Sequence, residues 1–343
     1  FTSATSSNNT AVGFHAGNDV TTGNNNTLIG ANSGDKLTSG NSNTAMGYLA
    51  LTTDTLGDRA VAIGVNALAT QNFTSSTDNY NVGIGYQAGY SITTGIQNTL
   101  IGGLAGDAIN TGDNNVAVGM ASLSVLTTAD DNVAVGVSAL SSNLTGASNT
   151  AVGRSSLASV TSGTRNIAMG ALAGDALTDA DYNTAVGYGA LTTDTLGSRS
   201  VAVGYHALET QNFTSATDSY NIGVGFSAGS NITTGTQNTL IGGLAGDAVS
   251  DGDYNIAIGT NALGSDTRGN ANTAVGAAAL FNQNFTSVTD SVNTGIGFNA
   301  GYSITTGTNN TFVGGQAGDG TNDGNANTAV GKAALSGNCG DYN

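Results

Sequence analysis

Asn9-Thr10-Ala11-Val12-Gly13 decides the fold, because the same five-residue phrase keeps returning. It comes back as NTLIG at 26–30, NTAMG at 43–47 and AVAIG at 60–64. With the closing glycine as anchor, nineteen phrases follow one another from Gly13 to Gly331. Fifteen of the eighteen intervals are 17 residues and three are 21, so the chain is one repeated unit and not a set of ordinary domains.

Numbering each repeat so that the anchor glycine is position 5 exposes its pattern. Position 1 is Asn except at Ala60 and Ser200, and position 2 is Thr, Val or Ile. Position 3 is mostly Ala, and position 4 is Val, Ile or Met. This alternation with β-branched enrichment predicts a strand. Position 8 is Ala or Ser and position 9 only Gly or Leu, which predicts a second short extended piece after a corner. One coil of two strands cannot bury its own face, so coils must stack in parallel. Stacking at about 4.8 Å per coil gives a rod of about 90 Å. The prediction is an all-β parallel β-solenoid, one continuous array over residues 1–343, cut from a longer fibre.

The column of position-1 Asn (Asn9, Asn26, Asn43) is expected to form a hydrogen-bonded ladder. Gly13, Gly30 and Gly47, with the Ala at position 3, are expected to let backbones approach closely between subunits. Positions 2 and 4 then take an inward or interface role. Where position 9 is Gly17, Gly34 or Gly89, position 12 is Val20, Leu37 or Ile92; where it is Leu51 or Leu191, position 12 is Asp54 or Asp194. This reads as one hydrophobic slot filled from either position, a tendency that Leu123 with Leu126 and Leu157 with Val160 break.

The three 21-residue coils carry QNFTSSTDNY at 71–80, QNFTSATDSY at 211–220 and QNFTSVTDSV at 283–292. Phe1-Thr2-Ser3 reads as the tail of another such phrase. Four added residues lengthen a corner into a loop without shifting the next coil, and loops on a rigid scaffold carry recognition. Phe73, Tyr80, Phe213, Tyr220 and Phe285 are therefore the candidate surface-recognition residues.

Phrases such as SVAVG at Ser200 and NVAVG at Asn115 and Asn132, with a small residue at position 8, resemble the head repeats of trimeric autotransporter adhesins. NNTAVGFHAG and TTGNNNTLIG are similar to repeats of bacteriophage tail fibres. The resemblance spans nearly the whole chain. It implies a left-handed parallel β-roll, three chains around one axis, in an extracellular fibre on a cell surface or a virion. Anchoring segments would lie outside these residues, and the 17-residue period is longer than most adhesin head repeats. The fibre is expected to act as rigid spacer and adhesive surface towards an unknown receptor or glycan.

Composition narrows the alternatives. Absence of Pro fits a backbone whose N–H groups are needed throughout and excludes collagen. A net charge of −16 argues against nucleic acid and anionic membranes, and no run approaches a membrane span. Cys339 is alone and cannot form an internal disulfide. His15 and His206 are the only His and Glu209 the only Glu, too few for catalysis, so no enzyme activity, cofactor or metal is expected. DGTNDG at Asp319 starts like a calcium loop, but its twelfth position is Val330 instead of Glu. Asn72, Asn212 and Asn284 open glycosylation triplets that matter only in a secretory eukaryotic host. Carbohydrate binding through the Phe loops and ice binding through Thr columns remain alternatives. Ice binding is disfavoured by Val and Ile replacing Thr at position 2.

Overall fold

The computed structural model describes residues 7–343 and divides into two compact units, Phe1–Asn166 and Ile167–Asn343. Phe1-Thr2-Ser3 lies outside the described residues. Each unit is a stack of parallel coils, and each coil contributes one three-residue strand at positions 2–4. The first unit holds nine, from Thr10–Val12 to Thr150–Val152. The second holds ten, from Ile167–Met169 to Thr328–Val330. The register steps by one repeat, pairing Ala11 with Leu28 and Val133 with Thr150. It survives the long coils unshifted, with Ala62 opposite Gly83 and Ala202 opposite Gly223. A parallel β-solenoid of 17-residue coils with three longer ones is thus what the chain forms.

The second strand predicted from position 8 is absent from every described coil. Positions 5–12 instead form consecutive turns, seen where Ala88, Tyr90 and Ile92 donate backbone N–H groups to the carbonyls of Gly85, Gln87 and Gly89. Residues at positions 7 and 9 take positive φ, 54° at Gln87 and 62° at Gly89, as the third residue of a type II turn requires. This explains the Gly-or-Leu rule at position 9. Leu51 and Leu68 sit at φ 52° and 48°, which costs about 1–2 kcal/mol. Both are fully buried, and burying a Leu stabilises by about 1.5–3 kcal/mol, so burial offsets the strain.

Position 3, expected to face a neighbouring subunit, faces the core instead, and positions 2 and 4 are not inward. Position 3 points into the coil, where Ala45, Ala62, Ala117 and Ala202 are completely buried. Positions 2 and 4 point outward, with Val12, Met169 and Ile256 well exposed. The interior is narrow because one short strand faces a tight turn across it. It admits the methyls of positions 3 and 8 and one or two larger chains, as where Leu28 and Leu37 are both buried in one coil. Ser33 and Ser122 fit at position 8 because each hydroxyl donates back to its anchor carbonyl, Gly30 at 3.1 Å and Gly119 at 3.0 Å.

The larger chain comes from three positions, not two. A Cβ on Gly34 would lie 2.8 Å from Leu28, and one on Gly318 would lie 2.4 Å from Phe312. Both neighbours stand at position 3. Gly83 at position 3 makes room for Leu68 from the preceding coil, 2.8 Å from its would-be Cβ. The slot is therefore shared between adjacent coils.

The position-1 ladder forms, though its rungs run mainly from side chain to backbone. Asn9 Oδ1 accepts the backbone N–H of Asn26 at 2.8 Å, and Asn26 Oδ1 that of Asn43 at 2.9 Å. Asn9 and Asn26 Nδ2 donate to the carbonyls of Gly23 and Gly40, each at 2.8 Å. Each amide ties its own coil across the turn and the next coil along the stack. The anchor glycines Gly13, Gly30 and Gly47 stack carbonyl over Cα at φ 131–141°. Their close approach is between coils of one chain.

Candidate functional site

The long coils are the only breaks in the period, and the structure organises them around a buried carboxylate. Asp54 is fully buried directly before the coil 60–80. Its Oδ1 accepts the backbone N–H groups of Gly57 at 3.0 Å and Phe73 at 3.2 Å. Its Oδ2 accepts Gln71 Nε2 at 2.6 Å, and Gln71 Oε1 in turn accepts Asn81 Nδ2 at 2.9 Å. Asp194 with Gly197, Phe213 and Gln211 repeats this, as does Asp266 with Gly269 and Gln283.

Gln71, Gln211 and Gln283 each stand 17 residues after their Asp. That spacing was available in the sequence. Reading position 12 as a volume exchange concealed it, because the Asp also replaces an aliphatic residue.

This network corrects the assignment of the loop phenylalanines. Phe73, Phe213 and Phe285 are only 5%, 5% and 6% exposed, so they are anchors and not a recognition surface. Phe213 covers the turn of the coil before it, its Cδ2 lying 2.7 Å from where Gly197 would carry a Cβ. Tyr80 and Tyr220 are exposed as expected, at 48% and 50%. Each is held by an arginine: Arg59 Nη1 donates to Tyr80 Oη at 2.6 Å, and the Arg199 guanidinium lies 5.8 Å from the Tyr220 ring centre. The same arginines pair with Asp78 and Asp218. What each loop offers outward is its tip, Thr74-Ser75-Ser76, Thr214-Ser215-Ala216 or Thr286-Ser287-Val288. A two-residue ladder such as Gly57–Asp58 with Thr77–Asp78 ties the loop back.

The long coils also explain the two missing rungs. The Ala60 side chain cannot accept a hydrogen bond, and Asn79 from the added residues does so instead, taking the N–H of Asn81 at 2.9 Å. Asn79 Nδ2 donates to the carbonyl of Asp58 at 2.7 Å. In the second long coil Ser200 and Ser219 are hydrogen-bonded to each other. In the third, Asn272 keeps the rung and Ser291 donates to it at 2.9 Å.

Burial pushes the carboxyls of Asp54, Asp194 and Asp266 above their usual range, and this outweighs the amide donors that favour the charge. A raised pKa means that the fold holds these protons more tightly than the unfolded chain. Their contribution is present below the unfolded pKa, about 4, and is lost as pH rises through the folded value. The thermal midpoint is therefore expected to fall as pH rises from about 4 towards neutrality. Partly buried Asp107 and Asp247 shift the same way. In the triple variant Asp54→Asn, Asp194→Asn, Asp266→Asn the slope should flatten. A midpoint that rises over this interval in the unaltered protein refutes the assignment.

Elsewhere chemistry is sparse. His206 Nδ1 meets Glu209 Oε1 at 2.6 Å beneath the Tyr205 ring, and His15 stacks on Phe14. Among the described residues no three His, Cys, Asp or Glu side chains gather as a metal site. No protein-family model matches the chain, and no curated protein matches it.

Proposed function

We propose that this chain is a non-enzymatic segment of an extracellular fibre, on a bacterial cell surface or a virion, serving as stiff spacer and adhesive surface. Three copies associate side by side through the outward sheet face. The resemblance to left-handed adhesin β-rolls and tail-fibre repeats supports this assembly.

The observation that carries it is the composition of positions 2 and 4. They hold only Thr, Val, Ile and Met in all nineteen coils, although the chain bears a charge of −16. Ile101, Met169, Ile258 and Ile296 stay exposed in the apolar position-4 column of this uncharged face, and such a column marks a contact surface. A partner that matches it must repeat at the same one-coil step along the sheet, and another copy of this chain does. Contact there leaves the acidic corners in water, where salt screens their repulsion.

Sedimentation equilibrium is expected to return three times the chain mass. Ile63→Asp combined with Val203→Asp should give folded monomers, since both side chains point outward. An unaltered protein that sediments as a monomer overturns the reading.

A further inference from the structure

Outward position 6 carries a column of rings. In the second unit Tyr188, Tyr205 and Phe226 occupy it in successive coils, with centroids 5.7 and 5.5 Å apart and planes within 15°. A ring in one coil thus covers the ring face of the next. Immediately after Phe226 the column stops at Gly243, whose missing Cβ would meet nothing within 4 Å.

The same interruption follows Tyr86, at Gly103, and follows Phe298, at Gly315. Backbone bonds seat each glycine coil against its ring: Leu104, Leu244 and Gln316 donate to the carbonyls of Tyr86, Phe226 and Phe298 at 2.8–2.9 Å. None of the three glycines has positive φ, so the backbone does not require Gly there. Other coils place Ala, Val, Met, Thr, Arg or Lys at this position. The glycines leave a large ring face uncovered, and Tyr86, Phe226 and Phe298 are 56%, 58% and 60% exposed.

We propose that each ring and its following glycine form a slot for one neutral pyranose of a surface glycan. Two coil steps span about 9.6 Å, which leaves one ring's thickness between Tyr86 and the Met120 coil beyond Gly103. Tyr and Phe interchange here, so recognition uses the ring face and not a hydroxyl. The C–H face of a pyranose packs on such a ring and turns its hydroxyls outward. The next residue supplies a hydrogen-bonding side chain each time: Gln87, Ser227 or Asn299. The charge of −16 selects against sialylated and other anionic sugars. Single slots bind weakly, with dissociation constants on the order of millimolar, and a fibre gains strength from their number.

This goes beyond self-association and is tested separately from it. Saturation-transfer NMR is run on the full chain with methyl glycosides of glucose, galactose, mannose and N-acetylglucosamine. At least one is expected to receive saturation on one ring face. The triple variant Gly103→Tyr, Gly243→Tyr, Gly315→Tyr extends the column as Tyr205 and Phe226 already do, so the fold accommodates it. The signal should fall to background there and also in Tyr86→Ala, Phe226→Ala, Phe298→Ala. No transfer to any of the four sugars, or undiminished transfer in both variants, overturns the slot. Mass is measured on the same samples. A monomer that binds sugar upholds the slot and sinks the trimer, and a trimer that does not bind does the reverse.

Discussion

Gly64→Ala is expected to destabilise the coils around it by about 2–6 kcal/mol, although it adds one methyl group. Two costs combine. Gly64 has φ +132°, a conformation that costs a side-chain-bearing residue about 1–3 kcal/mol. Its Cβ would also lie 2.4 Å from the carbonyl oxygen of Gly85 and 2.7 Å from its carbon. Those are backbone atoms of the next coil, and Gly85 is itself bonded to the Ile63 carbonyl at 2.8 Å. Relief requires spreading the sheet, and overpacking of this kind costs about 1–3 kcal/mol. Coils contact only their neighbours, so the damage is local. Hydrogen exchange should accelerate most at residues 47–102 and little in coils further along the first unit. Gly103→Ala is the control, having no positive φ and open space around its Cβ. It should stay within about 0.5 kcal/mol of the unaltered protein. Equal protection in both variants would remove the case for a glycine column. Position 15 supports the distinction, because it accepts Ala129 and Ala180 whereas position 5 is Gly in every coil.

The period, the anchors and the ladder were legible because each repeats at fixed spacing. Which strand face lies inside was not. Val and Thr at positions 2 and 4 look like core residues beside Ala, and in a thick sheet they would be. A 17-residue coil closes on a narrow interior, so Ala45 and Ala62 go in while Met46 and Ile63 stay out. Hydrophobicity along one strand cannot report that width; the turn opposite sets it. Phe73 was misplaced for a related reason. A loop aromatic reads as a surface feature until its backbone N–H is seen bonded to a carboxylate of the coil below. The exceptions at Ala60 and Ser200 looked like lapses in the ladder. The substitute rung for Ala60 lies 19 residues later, at Asn79, and Ser219 stands at the same spacing from Ser200 and bonds to it, a spacing that the 17-residue frame does not display.

Asn98→Ala is expected to be comparably severe, at about 2–5 kcal/mol, although it removes no apolar contact of any size. Asn98 is fully buried. Its Oδ1 takes the N–H of Asn115 at 2.9 Å, and its Nδ2 donates to the carbonyl of Gly112 at 2.8 Å. Alanine leaves both backbone groups buried without these partners, and each such loss costs about 1–3 kcal/mol. Asn98→Asp should be worse at neutral pH, because a buried charge then faces the Gly112 carbonyl, and it should recover partly on acidification. The sharper comparison is Asn79→Ala. Asn79 stands outside the repeat pattern, yet it takes the N–H of Asn81 and donates to the Asp58 carbonyl. Its loss should match that of Asn98 within about 1 kcal/mol if the rung is defined by its bonds and not by its place in the period. Asn18→Ala, which gives up one exposed bond to Asp19, should change stability by less than about 0.5 kcal/mol. Urea midpoints at constant slope measure all four. An Asn79 variant indistinguishable from the Asn18 variant would show that the long coil closes without its substitute rung. The fit between insertion and ladder would then be only geometric coincidence.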